Sequence, residues 1–456
     1  MKKIVPVLFS TLVFIGLFLF LSQFFKSEMM KQFIWDMNTF HGMFANLPTD
    51  LPKENIFGSY AFAFKDYFLH LPNSVDQNSV YYSVLLASAV SLCIFRPQHF
   101  SLLAIVVFGL FARFFFAYHT TCNHDMVSWY IDKSILDTGG NVFAETDRYN
   151  YSPFWFLVLK GLGFINHLLP QFSFMFMVRS FLTLIDLATL IVLMFIAKEI
   201  SVSGLKAAAL FFLNPVSIII TGYHGQFDNI PVLFVLLAIY AFLKQGSQSL
   251  FRGWLLVTVG MIAKHEILQQ ILIYLKQFPI KNRKVLFLFT LSVLLFSLTF
   301  LPYWAEGQER IVKNVLRYGG MSRPYGLIHF HVSDMAVLIH KFLFISLLLI
   351  WPFIYKTQNL VKSSLIGMLF FLVFSSGIST QQFILPIALG ALYPNMGFAL
   401  FTTAVSFFLF GDLDELKIAF FKGMSWNYIW FCAVIWFLME LKPQPVQKSA
   451  KLVHVT

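Results

Sequence analysis

Long runs of apolar residues, separated by short polar or basic segments, recur along the chain from residue 4 to about residue 441. A helix that crosses a bilayer needs about 20 predominantly apolar residues, and many of these runs approach or reach that length. The polar segments between them are too short to form a sizeable soluble domain. The pattern therefore predicts an all-α polytopic membrane protein, a bundle of about 11–14 transmembrane helices.

Two of the runs are interrupted, and they predict departures from a simple membrane span. Residues 153–169 are short and contain glycines, so we expect an interfacial or re-entrant helix there. Residues 253–277 are broken by Lys264-His265-Glu266, which predicts a hairpin of two short helices with ionisable residues near its tip. The other runs predict two N-terminal spans, at residues 4–21 and from about residue 80 to residue 96. They also predict helices over residues 99–118, 172–197, 206–222, 230–243, 285–301, 335–355, 363–378, 383–393, 397–410 and 426–441.

Composition and charge support a membrane protein and set its orientation. The chain is 58% hydrophobic and 12% charged, whereas a soluble protein is about 25% charged. Its formal charge of +11 does not indicate a nucleic-acid partner, because the basic residues cluster in short loops, as the positive-inside rule requires. We therefore expect cytoplasmic N- and C-termini and a first large external loop at residues 120–152 that contains interfacial helices.

The first external loop carries three candidate functional side chains. Asp125 follows an apolar run, and a partly buried carboxylate at a membrane boundary is suited to act as a general base; its alternative role is to cap a helix. Tyr149 and Tyr151 precede Pro153 and are candidates to contact a sugar ring or a lipid headgroup. The alternative for the tyrosines is an ordinary turn before a helix with Pro in its first turn.

A second group of polar residues lies at the ends of later apolar runs. His224, Gln226 and Asp228 stand in a short loop between two such runs, where polar groups are costly unless they are paired or used. Asp228 is a second candidate base, although it could equally cap the following helix. Lys264 and His265 are candidate phosphate contacts, unless Lys264 simply pairs with the neighbouring Glu266.

Two further polar segments lie nearer the C-terminus. Arg317 and Arg323 occur in a glycine-rich external loop, and arginine is suited to bidentate recognition of phosphate. The alternative is a flexible loop with solvated arginines. Gln381, in Ser-Thr-Gln-Gln-Phe at residues 379–383, is a candidate substrate contact or part of a plain connector.

Several of these motifs together resemble the GT-C class of integral-membrane glycosyltransferases. Residues 125–153 are similar to the first-loop pattern of that class: an acidic residue, an aromatic helix, a Gly-aromatic turn and a Tyr-x-Tyr-x-Pro element. Asn214-Pro215 followed by Gly-Gln-Phe-Asp at residues 225–228 is similar to its Asn-Pro and second-loop acidic motif. Residues 379–386 are similar to a Ser-x-Gln-aromatic and Leu-Pro element. The resemblance covers about residues 99–390 and is nearest to the group that contains the catalytic GPI mannosyltransferase and its bacterial relatives.

The resemblance implies inverting transfer of mannose or another hexose from a polyprenyl-phosphate donor at the external or luminal face. The acceptor would be a glycolipid, a glycan or a protein. Asp125 would take the acceptor proton, with Asp228 as the second candidate, and the cations Arg323, Arg317, Lys264 and His265 would contact the donor phosphate. Substrate would be bound by Tyr149, Tyr151, His224, Gln226 and Gln381.

The chain also departs from the family pattern. The family usually has its first-loop carboxylate after the first span, whereas Asp125 follows the third predicted one. Residues 1–95 therefore form a predicted N-terminal addition, followed by a GT-C-like module over residues 96–300, a C-terminal membrane module over residues 301–441 and a cytoplasmic tail over residues 442–456. His124 stands before Asp125 in place of an Asp-x-Asp pair, which favours a metal-independent reaction without a cofactor and leaves a divalent metal open.

Two other functions fit the same pattern. In a transporter or a flippase for lipid-linked sugars, the ionisable groups would line a translocation path near the bilayer midplane. Most of them fall at span ends instead, which favours the enzyme. A non-catalytic assembly subunit is the third possibility. The sequence favours a bacterial plasma membrane over the endoplasmic reticulum, because Asn150-Tyr151-Ser152 is followed by Pro153 and so is a poor glycosylation site.

Overall fold

The computed structural model describes residues 101–119, 124–244, 246–316, 334–355, 359–375, 377–411 and 426–442. The predicted N-terminal addition and the C-terminal tail beyond Lys442 lie outside these residues. All regular secondary structure in the described part is helical, which confirms the all-α prediction there. The helices are α1 Leu102–His119, α2 His124–Asp137, α3 Val142–Glu145, α4 Pro153–Leu168, α5 Phe174–Glu199, α6 Gly204–Phe212, α7 Pro215–Ile218, α8 Asn229–Leu243, α9 Ser249–Ala263, α10 Leu268–Leu275, α11 Asn282–Leu298, α12 Trp304–Arg310, α13 Asp334–Ile354, α14 Leu360–Phe374, α15 Ile387–Leu392, α16 Met396–Gly411 and α17 Trp426–Leu441.

Several of these helices have the length and composition of membrane spans. Within the described ranges, three continuous runs qualify alone: Phe174–Glu199, Asn282–Leu316 and Met335–Ile354. The pair Gly204–Phe212 and Pro215–His224 qualifies as a fourth if it is one span bent by 50°. Other apolar helices, such as α8, α9, α14 and α17, are shorter. The chain thus has several apolar helices suited to a membrane, and the larger number of spans stays a prediction.

The helix expected from residue 206 to the loop at residue 223 is interrupted at Asn214-Pro215. Proline restricts the residue before it to extended backbone, and Asn214 has φ −68° and ψ 125°. The Asn214 side chain accepts a hydrogen bond at 3.0 Å from the backbone N–H of Val216 and so caps α7. After α7 the chain forms a π-helical turn, Ile219–His224. This turn leads into the loop of residues 224–228, which we call the second polar loop.

A second interruption lies where the sequence predicted it. α9 ends at Ala263, Lys264 is extended with φ −153° and ψ 116°, and a 3₁₀ turn, His265–Ile267, leads into α10. Because Lys264 is extended, the helical run ends there, and the ionisable residues 264–266 lie between α9 and α10. α9 packs against α8, which begins directly after Asp228, and Lys264 pairs with Asp228, so the second interruption lies beside the polar loop that precedes α8.

A buried ionic network fixes the first interruption to its neighbours. Arg113 of α1 donates from Nε to Asp186 of α5 at 2.8 Å and from Nη2 to Ser217 at 2.7 Å. Its Nη1 also donates to the carbonyl of Phe212 at 2.7 Å, close to the interruption. Asp186 accepts a further hydrogen bond from Asn229, the first residue of α8. The network therefore joins both ends of the segment between α6 and α8 to α1 and α5.

An aromatic core beneath α2 and α4 supports the second polar loop. The ring of Phe227 stacks on Trp155 of α4 at 4.3 Å between ring centroids, and Trp129 of α2 contacts both rings edge-on. The expected interfacial or re-entrant segment is a helix over nearly its whole length, Pro153–Leu168. The core thus holds the first loop and the second polar loop as one packed unit.

The loop that contains α2 and α3 is also held by residues in the C-terminal half of the run Asn282–Leu316. Arg310 donates from Nε to Asp147 at 3.1 Å and from Nη1 to the carbonyl of Ala144. Asn141 donates to the carbonyl of Tyr303 at 3.3 Å. These contacts fasten the C-terminal part of a run that contains a candidate membrane span to the loop that contains α2 and α3.

Candidate functional site

Asp125 lies in the first turn of α2, one residue after the helix begins. Its side chain is 27% exposed, and its Oδ2 lies 3.0 Å from Nδ1 of His224. The carboxylate therefore stands in the first turn of a helix and beside an imidazole. Because it is partly exposed, it is accessible to a hydroxyl group of a ligand.

His224 is positioned by the turn that follows α7. It ends the π-helical turn, and Gly225 then reverses the chain with φ +69°. The carbonyl of Gly225 accepts a hydrogen bond at 3.1 Å from Nε1 of Trp129, which ties the turn to α2. On the far side of the imidazole, Nε2 of His224 is 3.5 Å from the Thr380 hydroxyl. The histidine thus links the first loop to the polar segment at residues 379–383.

Asp228 and Lys264 form a fully buried ion pair next to this turn. Nζ of Lys264 donates to Oδ1 of Asp228 at 2.8 Å and lies 3.6 Å from Oε1 of Glu266. Glu266 in turn accepts a hydrogen bond at 2.6 Å from Nε2 of Gln382. One cation therefore faces two carboxylates, and its charge is compensated within the protein.

Burial shifts the acid–base behaviour of this pair. Loss of hydration raises the pKa of Asp228 to about 6, although Lys264 opposes the shift by attraction. Burial alone would lower the pKa of Lys264, but the two carboxylates outweigh it and hold that pKa above its ordinary value. At neutral pH the lysine is therefore charged and Asp228 is mostly ionised.

Tyr151 lies at the centre of these charged groups. The ammonium of Lys264 stands 5.0 Å from the centre of its ring. Burial, and to a smaller extent the negative charges of Asp125, Asp228 and Glu266, raise the pKa of the Tyr151 hydroxyl, although Lys264 opposes the shift. The phenol is therefore neutral, and it keeps a proton that it can donate in a hydrogen bond.

Tyr149 has a different environment from Tyr151. It is 1% exposed, packed against Phe143 and Phe156, and its hydroxyl donates to the carbonyl of Ser152 at 2.5 Å. This places it inside the aromatic core, where it orders the turn that carries Tyr151.

Within the described part of the chain, the other predicted site residues make none of the contacts given above. Gln226 is fully buried, and neither polar atom of its side chain has a hydrogen-bond partner among the described residues. His265 packs against Phe296, and burial lowers its pKa to about 4, so it is neutral at pH 7. Gln381 is half-buried next to Thr380. Arg317 and Arg323 lie outside the described residues.

Some polar residues of the site were not assigned from the sequence. Glu266 and Gln382 belong to motifs that were recognised, but their contact joins segments 116 positions apart and has no local signal. Asp132, fully buried, is seven residues beyond Asp125 on the same face of α2, and its carboxylate oxygens have no hydrogen-bond partner in the described part of the chain. Burial raises its pKa well above the ordinary value. The described residues include no group of three or more His, Cys, Asp or Glu side chains placed to hold a metal ion.

Chemically, this constellation offers a partly exposed carboxylate that can accept a proton, beside a buried group of two carboxylates and one lysine. Asp125 is the accessible proton acceptor, and His224 lies directly behind it. No protein-family model matches the chain, and no match was found among curated proteins or among solved structures.

Proposed function

We propose that the protein is an inverting glycosyltransferase of the GT-C type. It moves a hexose from a polyprenyl-phosphate donor to an acceptor hydroxyl at the external membrane face. The observation that carries the proposal is the Asp125–His224 pair, a partly exposed carboxylate 3.0 Å from a buried imidazole, next to the charged groups around Tyr151. Apolar helices adjoin this pair and would accommodate the lipid chain of the donor.

In this proposal Asp125 removes the proton of the acceptor hydroxyl as its oxygen attacks the anomeric carbon. The bond between that carbon and the phosphate oxygen breaks, and the electron pair leaves with the lipid phosphate. The sugar acquires oxocarbenium character, which nearby carboxylates stabilise. His224, within ion-pair distance of Asp125, orients the carboxylate toward the acceptor hydroxyl.

The remaining candidate residues take roles that match their surroundings. Tyr151, Gln226 and Gln381 are the proposed substrate contacts, and Tyr149 orders the turn before α4. Arg317 and Arg323 are the proposed contacts of the donor phosphate. Lys264 faces Asp228 and Glu266, so we assign it the role of a counterion to them.

Translocation of a lipid-linked sugar is the second candidate, and one observation favours it. Transporter sites often lie at interrupted helices, and the pair α6 and α7 is bent by 50°. At this interruption, however, the carbonyl of Phe212 is bonded to Arg113, and Asn214 caps the next helix. Since these groups are satisfied within the protein, the interruption does not need a ligand to explain it.

A transfer assay tests the proposal. The purified full-length protein is placed in liposomes that contain a membrane glycolipid extract as the source of acceptors, together with a panel of radiolabelled polyprenyl-phosphate sugars, and the lipid and glycan products are extracted. We expect labelled product with at least one sugar, and a loss of about 100-fold or more in Asp125→Asn. The matched control is Asp137→Asn, since Asp137 lies on the same helix but is paired with Lys133 at the surface.

Two results would count against this proposal. Full transfer by Asp125→Asn would remove Asp125 as the base and leave the transfer activity itself standing. Movement of labelled lipid across the liposome membrane without any product would overturn the enzyme and favour the transporter.

A further inference from the structure

The charged groups around Tyr151 have an excess of negative charge. Among the described residues, three carboxylates, of Asp125, Asp228 and Glu266, lie near this hydroxyl. The cations that pair with them in this part of the chain are Lys264 and, when it is protonated, His224, which is 3.0 Å from Asp125, so the carboxylates outnumber them. That lysine is 1% exposed and lies within 4 Å of two of the carboxylates. A phosphate placed here would meet more carboxylates than cations, at distances where like charges repel strongly in a buried site.

The same groups present hydrogen-bond acceptors that the protein itself does not use. Oδ2 of Asp228 and Oε2 of Glu266 are both buried, and neither has a hydrogen-bond partner among the described residues. A carboxylate oxygen accepts hydrogen bonds and donates none while it is ionised. The matching ligand groups are therefore hydroxyls, each of which has a proton to donate.

Glu266 is held in place for such a contact. Its Oε1 accepts a hydrogen bond from Gln382, whose own Oε1 accepts one at 2.9 Å from the backbone N–H of Ser379. Ser379 and Gln382 form the reciprocal cap of the turn Thr380–Ile384. One oxygen of Glu266 is thus anchored to a capped turn, which fixes the direction of the other.

We infer that the carboxylate group formed by Asp228 and Glu266, with Lys264 as its fixed counterion, binds the hydroxyls of the donor hexose and excludes the donor phosphate. This inference rests on the proposed function and adds where the two parts of the donor lie. The sugar ring contacts Asp228 and Glu266, and its growing positive charge in the transition state is favoured by the excess of carboxylates. The phosphate lies beyond this group.

Equilibrium binding of two lipids tests the inference. The probes are polyprenyl phosphate and polyprenyl-phosphate mannose, and the protein is the full-length chain in nanodiscs. We expect the wild type to bind the mannose-bearing lipid more tightly. Glu266→Gln is expected to weaken binding of that lipid by about tenfold or more, as for a hydrogen bond to a charged group, and to leave binding of polyprenyl phosphate unchanged within about twofold.

The controls separate this inference from the function on which it rests. Glu199→Gln is the matched control, because Glu199 is the last residue of α5 and pairs with Lys244, outside the carboxylate group. We expect this substitution to alter neither affinity. Should Glu266→Gln fail to fold, Glu266→Asp keeps the charge and withdraws the oxygen by one methylene, and it is expected to weaken only the mannose-bearing lipid.

Two outcomes have different meanings. If the wild type prefers the mannose-bearing lipid and the Glu266 variants keep that preference, or lose polyprenyl phosphate binding instead, the inference is overturned and the proposed function stands. If the wild type binds both lipids equally well, the inference is likewise overturned and the proposed function stands. If it binds neither lipid, the proposed function falls together with the inference.

Discussion

Arg113 and Asp186 form an ion pair 2.8 Å apart with both side chains fully buried, and the pair is joined through Asn229 to the turn that carries Asp228. Removing one partner leaves the other as an uncompensated buried charge. We therefore expect Arg113→Met to lower the free energy of unfolding by about 3–5 kcal/mol. The measurement is the thermal unfolding midpoint of the purified protein in detergent.

A double substitution is the control for this pair. Arg113→Met with Asp186→Leu removes both charges, so it is expected to recover part of the lost stability. If the double variant is as unstable as the sum of the two single variants, the ion pair is not the source of the effect.

Gly225 is expected to be intolerant of any side chain. Its φ of +69° places other residues in the left-handed region, at a cost of roughly 1–2 kcal/mol, and an added Cβ would lie 2.2 Å from Sδ of Met126. Gly225→Ala should therefore lower the unfolding midpoint and reduce sugar transfer, because His224 and Asp228 flank this turn. Gly161→Ala is the matched control: nothing lies within 4 Å of its Cβ position in α4, so it should be neutral or stabilising. Equal effects of the two substitutions would contradict the prediction.

The stability of the fold should depend on the protonation of Asp228. Burial raises its pKa from 3.8 to about 6, so between these values the folded protein holds a proton that the unfolded chain has released. The contribution of Asp228 is therefore fully present below about pH 4 and is lost as the pH rises through about 6, by about 1–3 kcal/mol. We expect Asp228→Asn to remove this part of the decline, measured as the difference between wild-type and variant midpoints from pH 4 to 7.5. A difference that does not change with pH would refute the assignment.

The proposed orientation places Asp137 outside the cell and Lys244 in the cytoplasm. Both side chains are substantially exposed, at 36% and 50%, so a cysteine at either position should be accessible to a maleimide. In a background in which Cys93, Cys122 and Cys432 are replaced by serine, we expect a membrane-impermeant maleimide to label Asp137→Cys in intact cells and Lys244→Cys only after permeabilisation. Labelling of both variants from the same side would show that the assumed topology is wrong.

The parts of the fold that the sequence predicted well are those determined by local pattern. The run at residues 426–441 coincides with α17, and the interruption at Lys264 was visible as three ionisable residues inside an apolar stretch. The bend at Asn214 was not predicted, although proline supplies its local cause. Its stability depends on Arg113, a residue about 100 positions away in the chain.

The candidate site was predictable as a set of residues but not as a set of contacts. Polar residues at the ends of apolar runs singled out Asp125, His224, Asp228 and Lys264. The sequence left open whether Lys264 would meet a ligand phosphate or a carboxylate of the protein, because that depends on how α8 and α9 pack. The pairing of Lys264 with Asp228 follows from this packing, which no local pattern encodes.

The attachment of Arg310 to Asp147 and Ala144 has a consequence for the surrounding lipid. The helical run that contains Arg310, Asn282–Leu316, has 35 residues, but its apolar part, α11, has 17 residues and a length of about 26 Å, close to the hydrocarbon thickness of about 30 Å. A span of this length responds to a change in bilayer thickness by a change in tilt, and such a change here would displace the loop that the run holds. Acyl-chain length is therefore expected to change the turnover of the reconstituted protein, and Arg310→Ala, which releases the loop, should reduce that dependence.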